Sequence, residues 1–399
     1  LEESLVSKAS ENTKIWTKDF TIICVANFFI FLGFQMTLPT LPLFVKELGG
    51  SDQMIGLIVG FFTFSALLVR PNAGHLLETK GRKFVYLIGL IIFVLSVGSF
   101  AFITSIVFLL IMRVVQGVGW GYSTTATGTI ATDLIPARRR GEGIGYFGLS
   151  GNFALAFGPS LGLALYGKIS FTWLFIIAAT LGLIAFILSH FITYKEVEKS
   201  EIVKTTAKKK WDLFEKSAIQ PSILLFFITI TFGGIATFLP VYTEQEQIGG
   251  IEGYFLLYAL FLMISRAFAG KLYDRHGHIA VFLPGTMFVF GAMLLLMWLP
   301  SATVLFIAAS MYGLGFGAVQ PALQAWAVDK ASIKRKGMAN ATFFSFFDLG
   351  VGAGALLFGL VASMFGYKEI YLASAVSVLI AMLLYIFLLI FNRKKGTII

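Results

Sequence analysis

The chain has 399 residues, 57% of them hydrophobic and only 13% charged, with a formal charge of +10. A water-soluble domain carries about 25% charged residues; the deficit here, with a mean hydropathy of +0.84 and apolar runs long enough to span lipid, points to a bilayer. A soluble enzyme with buried helices would need a polar face on each helix, and most of these runs are apolar all round.

In chain order, residues 1–19 read as a cytoplasmic N-terminal segment. No cleavable signal peptide is expected there, because "LEESLVSKASENTK" is mixed in charge and the apolar run after it is too long. Apolar helices are predicted at 20–43, 54–77, 84–103, 106–131, 143–166 and 173–193. Six more follow at 221–242, 253–272, 280–299, 302–328, 338–364 and 369–391. At 1.5 Å per residue each can cross a hydrocarbon core of about 30 Å. The stretch 194–220 reads as a charged cytoplasmic linker and 392–399 as a cytoplasmic tail. The chain thus divides into two six-helix bundles, 20–193 and 221–391. The single cysteine, Cys24, excludes an internal disulfide or a cysteine-based metal site. The four histidines lack the partners of a zinc site, so no metal is expected.

The connections alternate in charge. One side, with both termini and the linker, holds 25 of the 31 Lys and Arg residues, whereas the other holds Lys46, Lys168 and Lys368. By the positive-inside pattern both termini are cytoplasmic. The basic excess then reflects topology and contact with anionic lipid, and no nucleic-acid partner is expected.

Two polar islands interrupt the apolar text, "GHLLETKGRK" at Gly74–Lys83 and "GKLYDRHGH" at Gly270–His278. An offset of 196 residues superimposes them and more. Arg70 falls on Arg266, Gly74 on Gly270, Glu78 on Asp274, Gly81 on Gly277, Asp133 on Asp329 and Asn152 on Asp348. Gly117, Gly119 and Gly121 fall on Gly313, Gly315 and Gly317. Shared apolar composition explains matching Leu and Phe, but not matching Arg, Asp and Gly. Two parallel six-helix repeats enclosing a midplane site are a transporter architecture.

These residues also resemble the major facilitator superfamily, in its twelve-span drug:proton antiporter branch. That family's motif between spans 2 and 3, Gly-x-Leu-x-Asp-Arg-x-Gly-Arg-Lys, is matched by Gly74, Leu76, Gly81, Arg82 and Lys83, with Glu78 and Thr79 as departures. The second copy keeps Asp274, Arg275 and Gly277. The span 4 motif is met by Leu109, Arg113, Gln116, Gly117 and Gly119, and the antiporter motif of span 5 by Gly145, Gly158, Pro159 and Gly162. Locally, the stretches "LVRPNAGHL" and "FFDLGVGAGALLFG" are also similar to exporters of opine-type metallophores. The resemblance implies an all-α membrane protein of the major facilitator fold, with twelve transmembrane helices in two pseudo-symmetric bundles. It further implies a monomer in a bacterial inner membrane that needs no cofactor beyond the proton gradient, and is not an enzyme.

It also implies that the islands latch the halves together on the cytoplasmic face. Glu78 would meet the start of span 11 near Gly337, whose helix dipole favours an anion. Arg82 would pair with Asp133, Asp274 would face span 5 near Gly141, and Asp329 would sit near Arg275 or His278.

Charged residues deep in a span are costly, so each asks for a reason. Asp348, about three turns into span 11, is the first candidate for the proton-carrying group. Burial raises a carboxylate's proton affinity in general, while water or an approaching arginine lowers it. Arg113 occupies the position that the family ties to proton handling. Arg70 and Arg266 lie one turn inside the islands, where snorkelling to the headgroups would also account for them. Candidate substrate-binding residues are Asn27, Gln35, Arg113, Gln116, Asn152, Tyr312, Gln320, Phe344 and Asp348. An aromatic wall with few polar groups suits small amphiphiles. The leading expectation is a proton-coupled exporter of drugs or metabolites. Export of an anionic or zwitterionic metabolite, such as an opine-type metallophore, is the alternative; proton symport and a non-transporting receptor stand behind both.

Overall fold

The computed structural model describes residues 14–136, 139–193, 214–329, 331 and 336–394. Twelve of its helices are long and apolar enough to cross a membrane. They are α1 (Lys18–Glu47), α2 (Asp52–Thr79), α3 (Arg82–Ser99), α4 (Ile106–Leu134), α5 (Arg140–Leu165) and α6 (Phe171–His190). The second half supplies α7 (Ile219–Gln245), α8 (Ile251–His276), α9 (Ile279–Met297), α10 (Ala302–Asp329), α11 (Lys336–Phe365) and α12 (Tyr367–Lys394). Every predicted span has its helix, and among the described residues the only extended pairing is an isolated bridge between Tyr166 and Ile169. The protein is a multi-pass membrane protein.

In a medium without water each backbone group must find a partner inside its own segment, and helices meet that condition. Ends are closed by side chains where the chain leaves the apolar layer. The Thr17 hydroxyl accepts the Phe20 amide at 3.2 Å, and the Ser51 hydroxyl accepts that of Met54 at 3.4 Å. Proline sits inside several helices, including Pro39, Pro42, Pro71, Pro159, Pro240 and Pro321, as neighbouring helices in lipid allow. Large apolar side chains such as Leu68, Phe102, Trp173, Phe268 and Trp298 are exposed on the outside, where acyl chains would cover them.

Packing within the first half joins α1 to α5 and α6, α4 to α2 and α3, and α3 to α6. Adding six to each label gives the second half: α7 with α11 and α12, α10 with α8 and α9, α9 with α12. The 196-residue offset survives at atomic detail. A Cβ on Gly119 would stand 2.7 Å from the backbone nitrogen of Phe93, and one on Gly315 would stand 2.9 Å from that of Val289. Phe93 and Val289 are themselves 196 residues apart, so the same close helix approach is built twice, with a residue lacking a side chain at the crossing. Likewise Gly81 and Gly277 both take positive φ, +100° and +71°, which turns the chain between α2 and α3 and again between α8 and α9.

The halves meet along α2 with α11, α5 with α8 and α1 with α7. At the end opposite the termini this seam is tight. Asp52 accepts the Tyr367 hydroxyl at 2.5 Å, Glu244 accepts that of Tyr166 at 2.7 Å, and Gln53 donates to Ser363 at 3.3 Å. The bundle is therefore closed at the end away from its termini.

Candidate functional site

At mid-depth the seam holds two polar clusters. In the first, Arg70 of α2 donates through Nη2 to Oδ2 of Asp348 on α11 at 2.8 Å. The two side chains are 29% and 27% exposed, so the pair is shielded but reachable. In the second, Arg266 of α8 donates through Nη1 to Oδ1 of Asn152 on α5 at 2.5 Å, and through Nη2 to Oε1 of Gln320 on α10 at 2.6 Å. The Nε atoms of both arginines are buried without a hydrogen-bond partner.

This corrects the snorkelling account of Arg70 and Arg266. Both guanidinium groups turn into the seam and each reaches a residue of the opposite half, Asp348 for Arg70 and Asn152 for Arg266, rather than the headgroups. The sequence held the signal. Arg70 and Arg266 are repeat mates, as are Asp348 and Asn152, and parallel repeats set α2 against α11 and α8 against α5. The mates therefore exchange partners across the pseudo-two-fold.

Arg113 and Asp348 do not come together. Arg113, on α4, is 1% exposed. Its Nε donates to the Ile58 carbonyl at 3.0 Å and its Nη1 to Oε1 of Gln116 at 2.5 Å. The guanidinium carbon lies 4.3 Å from the centre of the Phe62 ring, a cation–π contact in a dry setting. All of these partners belong to the first half.

The other substrate candidates divide by access. Asn27 is buried and donates to Ser150 at 2.8 Å, tying α1 to α5. Gln35 is buried beside Gly158, and its Oε1 has no partner. Tyr312 is fully buried and shares a 3.0 Å hydrogen bond with Thr231. Gln116 is fully buried as well, whereas Phe344 is exposed. In this state, then, the half-exposed polar groups at mid-depth are Arg70, Asp348, Asn152 and Arg266.

At the end carrying the termini, Arg82 at the start of α3 and Asp133 near the end of α4 form an ion pair. Asp329 accepts the Tyr273 hydroxyl at 2.9 Å. The expected ion pair with Arg275 is not formed, and His278 lies against Tyr385, 2.7 Å from its hydroxyl, with its ring stacked on Trp326. A buried imidazole finds its aromatic neighbours before it finds a solvated carboxylate. The side chains of Glu78 and Asp274 lie outside the described residues, as do those that would surround Gly141 and Gly337. Gly74, Gly145 and Gly270 face open space, while Gly158 and Gly162 press on Gln35 and Met36 of α1, with Pro159 buried between them.

The sequence profile of the Major Facilitator Superfamily matches residues 23–332 and again 255–397. The chain belongs to that superfamily. It is 25% identical over 381 residues to an uncharacterised superfamily transporter of Methanocaldococcus jannaschii, covering 92% of this chain and 98% of that protein. It is also 25% identical over 364 residues to the quinolone resistance protein NorA of Staphylococcus aureus, covering 88% and 91%. Among solved structures, the nucleoside transporter NupG superimposes with a TM-score of 0.75 at 14% identity, covering 92% of this chain and 99% of that one. The resemblance first carried by the two islands is thus confirmed, and the fold is that of a superfamily transporter. Among the described residues no group of His, Cys, Asp and Glu could hold a metal ion.

Proposed function

We propose that this superfamily transporter is a proton-coupled antiporter that exports small amphiphilic molecules, drugs or metabolites, by alternating access. The observation that carries the reading is the Arg70–Asp348 pair, which joins opposite halves at mid-depth. Rocking the halves separates α2 from α11, and the pair must break. The carboxylate then needs another partner, and a proton serves. Protonation removes the attraction that holds the halves in this state; deprotonation restores it. Coupling follows because a proton neutralises the carboxylate, and a neutral acid no longer holds the guanidinium as an ion pair.

Further support comes from the likeness to a quinolone resistance protein and from Gly145, Gly158, Pro159 and Gly162 on α5. Arg113 would tune the first half by holding α4 against α2. The substrate would meet Asn27, Gln35, Gln116, Asn152, Tyr312, Gln320 and Phe344 as the seam opens. Gly74, Glu78, Gly81, Arg82 and Asp133, with Gly270, Asp274, Arg275 and Asp329, would form the latch of the outward-open state. The charge bias of the loops supports cytoplasmic termini, and a monomer in a bacterial inner membrane completes the proposal. No cofactor is proposed. A second reading, an anionic or zwitterionic cargo, is favoured by Arg266, which donates to the neutral amides of Asn152 and Gln320.

The test uses purified protein in liposomes with a trapped pH dye. An imposed proton gradient is followed by a screen of amphiphilic and anionic candidates, wild type beside Asp348→Asn. Substrate-evoked proton flux lost in the variant is the expected result. Flux that persists in Asp348→Asn rejects Asp348 as the coupling group; no flux with any candidate rejects proton coupling.

A further inference from the structure

Arg70 and Arg266 occupy equivalent positions in the repeat, yet only one of them has a counter-charge. Arg70 faces a carboxylate. Arg266 faces the amide oxygens of Asn152 and Gln320, and among the described residues no acid lies within ion-pair distance of it. Asn152 stands where the other half has Asp348. The second cluster therefore repeats the cation of the first and lacks its anion.

Amide oxygens satisfy hydrogen bonds but leave the net charge of the guanidinium in place. A cation at this depth is expensive, and a purely structural arginine would be served better by an acid. Two of its nitrogens are steered by amides from α5 and α10, which fixes the plane of the fork. The Nε–H has no partner. The side chain is only half-buried, as is Asn152, so a ligand entering along the seam can reach it. A planar fork with spare donors matches a carboxylate or a similarly compact oxyanion better than it matches a neutral group. One turn from Gln320 along α10 lies Phe316, whose ring meets that of Phe347 at 6.3 Å. Phe347 adjoins Asp348, so an apolar surface connects the two clusters.

We propose that Arg266, oriented by Asn152 and Gln320, is the recognition group for an anionic substituent on the transported molecule, and that the cargo is a carboxylate-bearing amphiphile. The inference rests on the transport reading above and names its substrate class. The repeat then divides the labour: Asp348 exchanges its arginine for a proton, and Arg266, held in place by its two amides, takes the substrate's anion through its remaining N–H groups.

Three aromatic or apolar carboxylates, benzoate, 2-naphthoate and dansylglycine, are titrated into the full-length protein in detergent, each beside its own carboxamide. The expected result is that at least one carboxylate binds wild type tenfold or more tighter than its carboxamide. Arg266→Gln should abolish that preference. Asn152→Asp should abolish it too, by supplying the missing carboxylate internally and occupying the fork. Melting temperature and gel filtration confirm that each variant is folded, and Asn152→Asp keeps the test decisive if Arg266→Gln is not. Equal binding of every carboxylate and its carboxamide to wild type, including no binding of either, overturns the proposal. So does a carboxylate preference that survives in both folded variants. Binding with the expected pattern but without proton flux would leave this site standing and remove the antiport reading. Flux without charge preference would do the reverse.

Discussion

Arg70 and Asp348 meet at 2.8 Å across 278 residues of chain, one on each six-helix half. The Lys46–Asp52 and Arg82–Asp133 ion pairs, by contrast, each lie within the first half. Breaking a fully buried pair by deleting one partner costs about 3–5 kcal/mol, and a solvated pair about 0–1 kcal/mol. At 29% and 27% exposure this pair falls between, and Arg70→Gln should cost roughly 1–3 kcal/mol. The double variant Arg70→Gln/Asp348→Asn should recover most of that loss, because no charge is then left alone. Melting temperatures in one detergent check the cycle; a double variant as unstable as Arg70→Gln would show that the pair does not hold the halves.

Two glycines test packing between the halves against packing within one. A Cβ on Gly56 would stand 2.5 Å from the Ala355 carbonyl oxygen across the seam. Neither helix backbone can yield, so Gly56→Ala should force α2 and α11 apart at the closed end while each half stays folded. Gly119→Ala, whose Cβ would meet α3 of the same half at 2.7 Å, should instead lower stability by about 1–3 kcal/mol through overpacking. A maleimide that cannot cross membranes, applied from the closed end to Thr63→Cys, a buried position on α2 packed against Gly352 of α11, reads the first effect; a melting curve reads the second. Equal maleimide labelling with and without Gly56→Ala would count against a sealed end.

The Arg82–Asp133 pair sits against both local helix dipoles, a cation at the start of α3 and an anion near the end of α4. Exchanging the charges reverses both mismatches, each worth about 0.3–1 kcal/mol. The double variant Arg82→Glu/Asp133→Arg should therefore melt no lower than wild type. If the pair belongs to the outward-open latch, transport should nevertheless fall severalfold. A swapped protein with full transport would limit the pair to local packing.

At the closed end, Tyr166 donates to Glu244 at 2.7 Å. Burial, then the carboxylate beside it, holds the Tyr166 hydroxyl well above the usual tyrosine range. A group raised in the folded state contributes its stability in full below the unfolded pKa of about 10 and loses it only above the folded value. Tyr166→Phe should thus cost about 1 kcal/mol by the same amount at every pH from 6 to 9. A melting-temperature difference that shrinks across that window would mean that the phenol titrates early.

Much of this molecule was legible without coordinates. Apolar runs of bilayer length dictated twelve helices, because lipid offers the backbone no alternative partners. The 196-residue repeat of Arg, Asp and Gly, as in Gly119 and Gly315 or Gly81 and Gly277, dictated a doubled architecture, because chemically costly residues do not recur in register by composition. Asp348 stood out because a charge that deep in a span is costly. What the sequence could not assign was partnership. It left Arg70 and Arg266 as snorkelling candidates and grouped Arg113 with Asp348. The tertiary structure gave Asp348 to Arg70, Asn152 to Arg266, and Arg113 to Ile58, Gln116 and Phe62. It also gave Asp329 to Tyr273 rather than to Arg275 or His278. Periodicity places a residue on a helix and at a depth. Which charge it meets depends on how two bundles rotate and dock, and that is settled by side-chain packing summed over the whole seam.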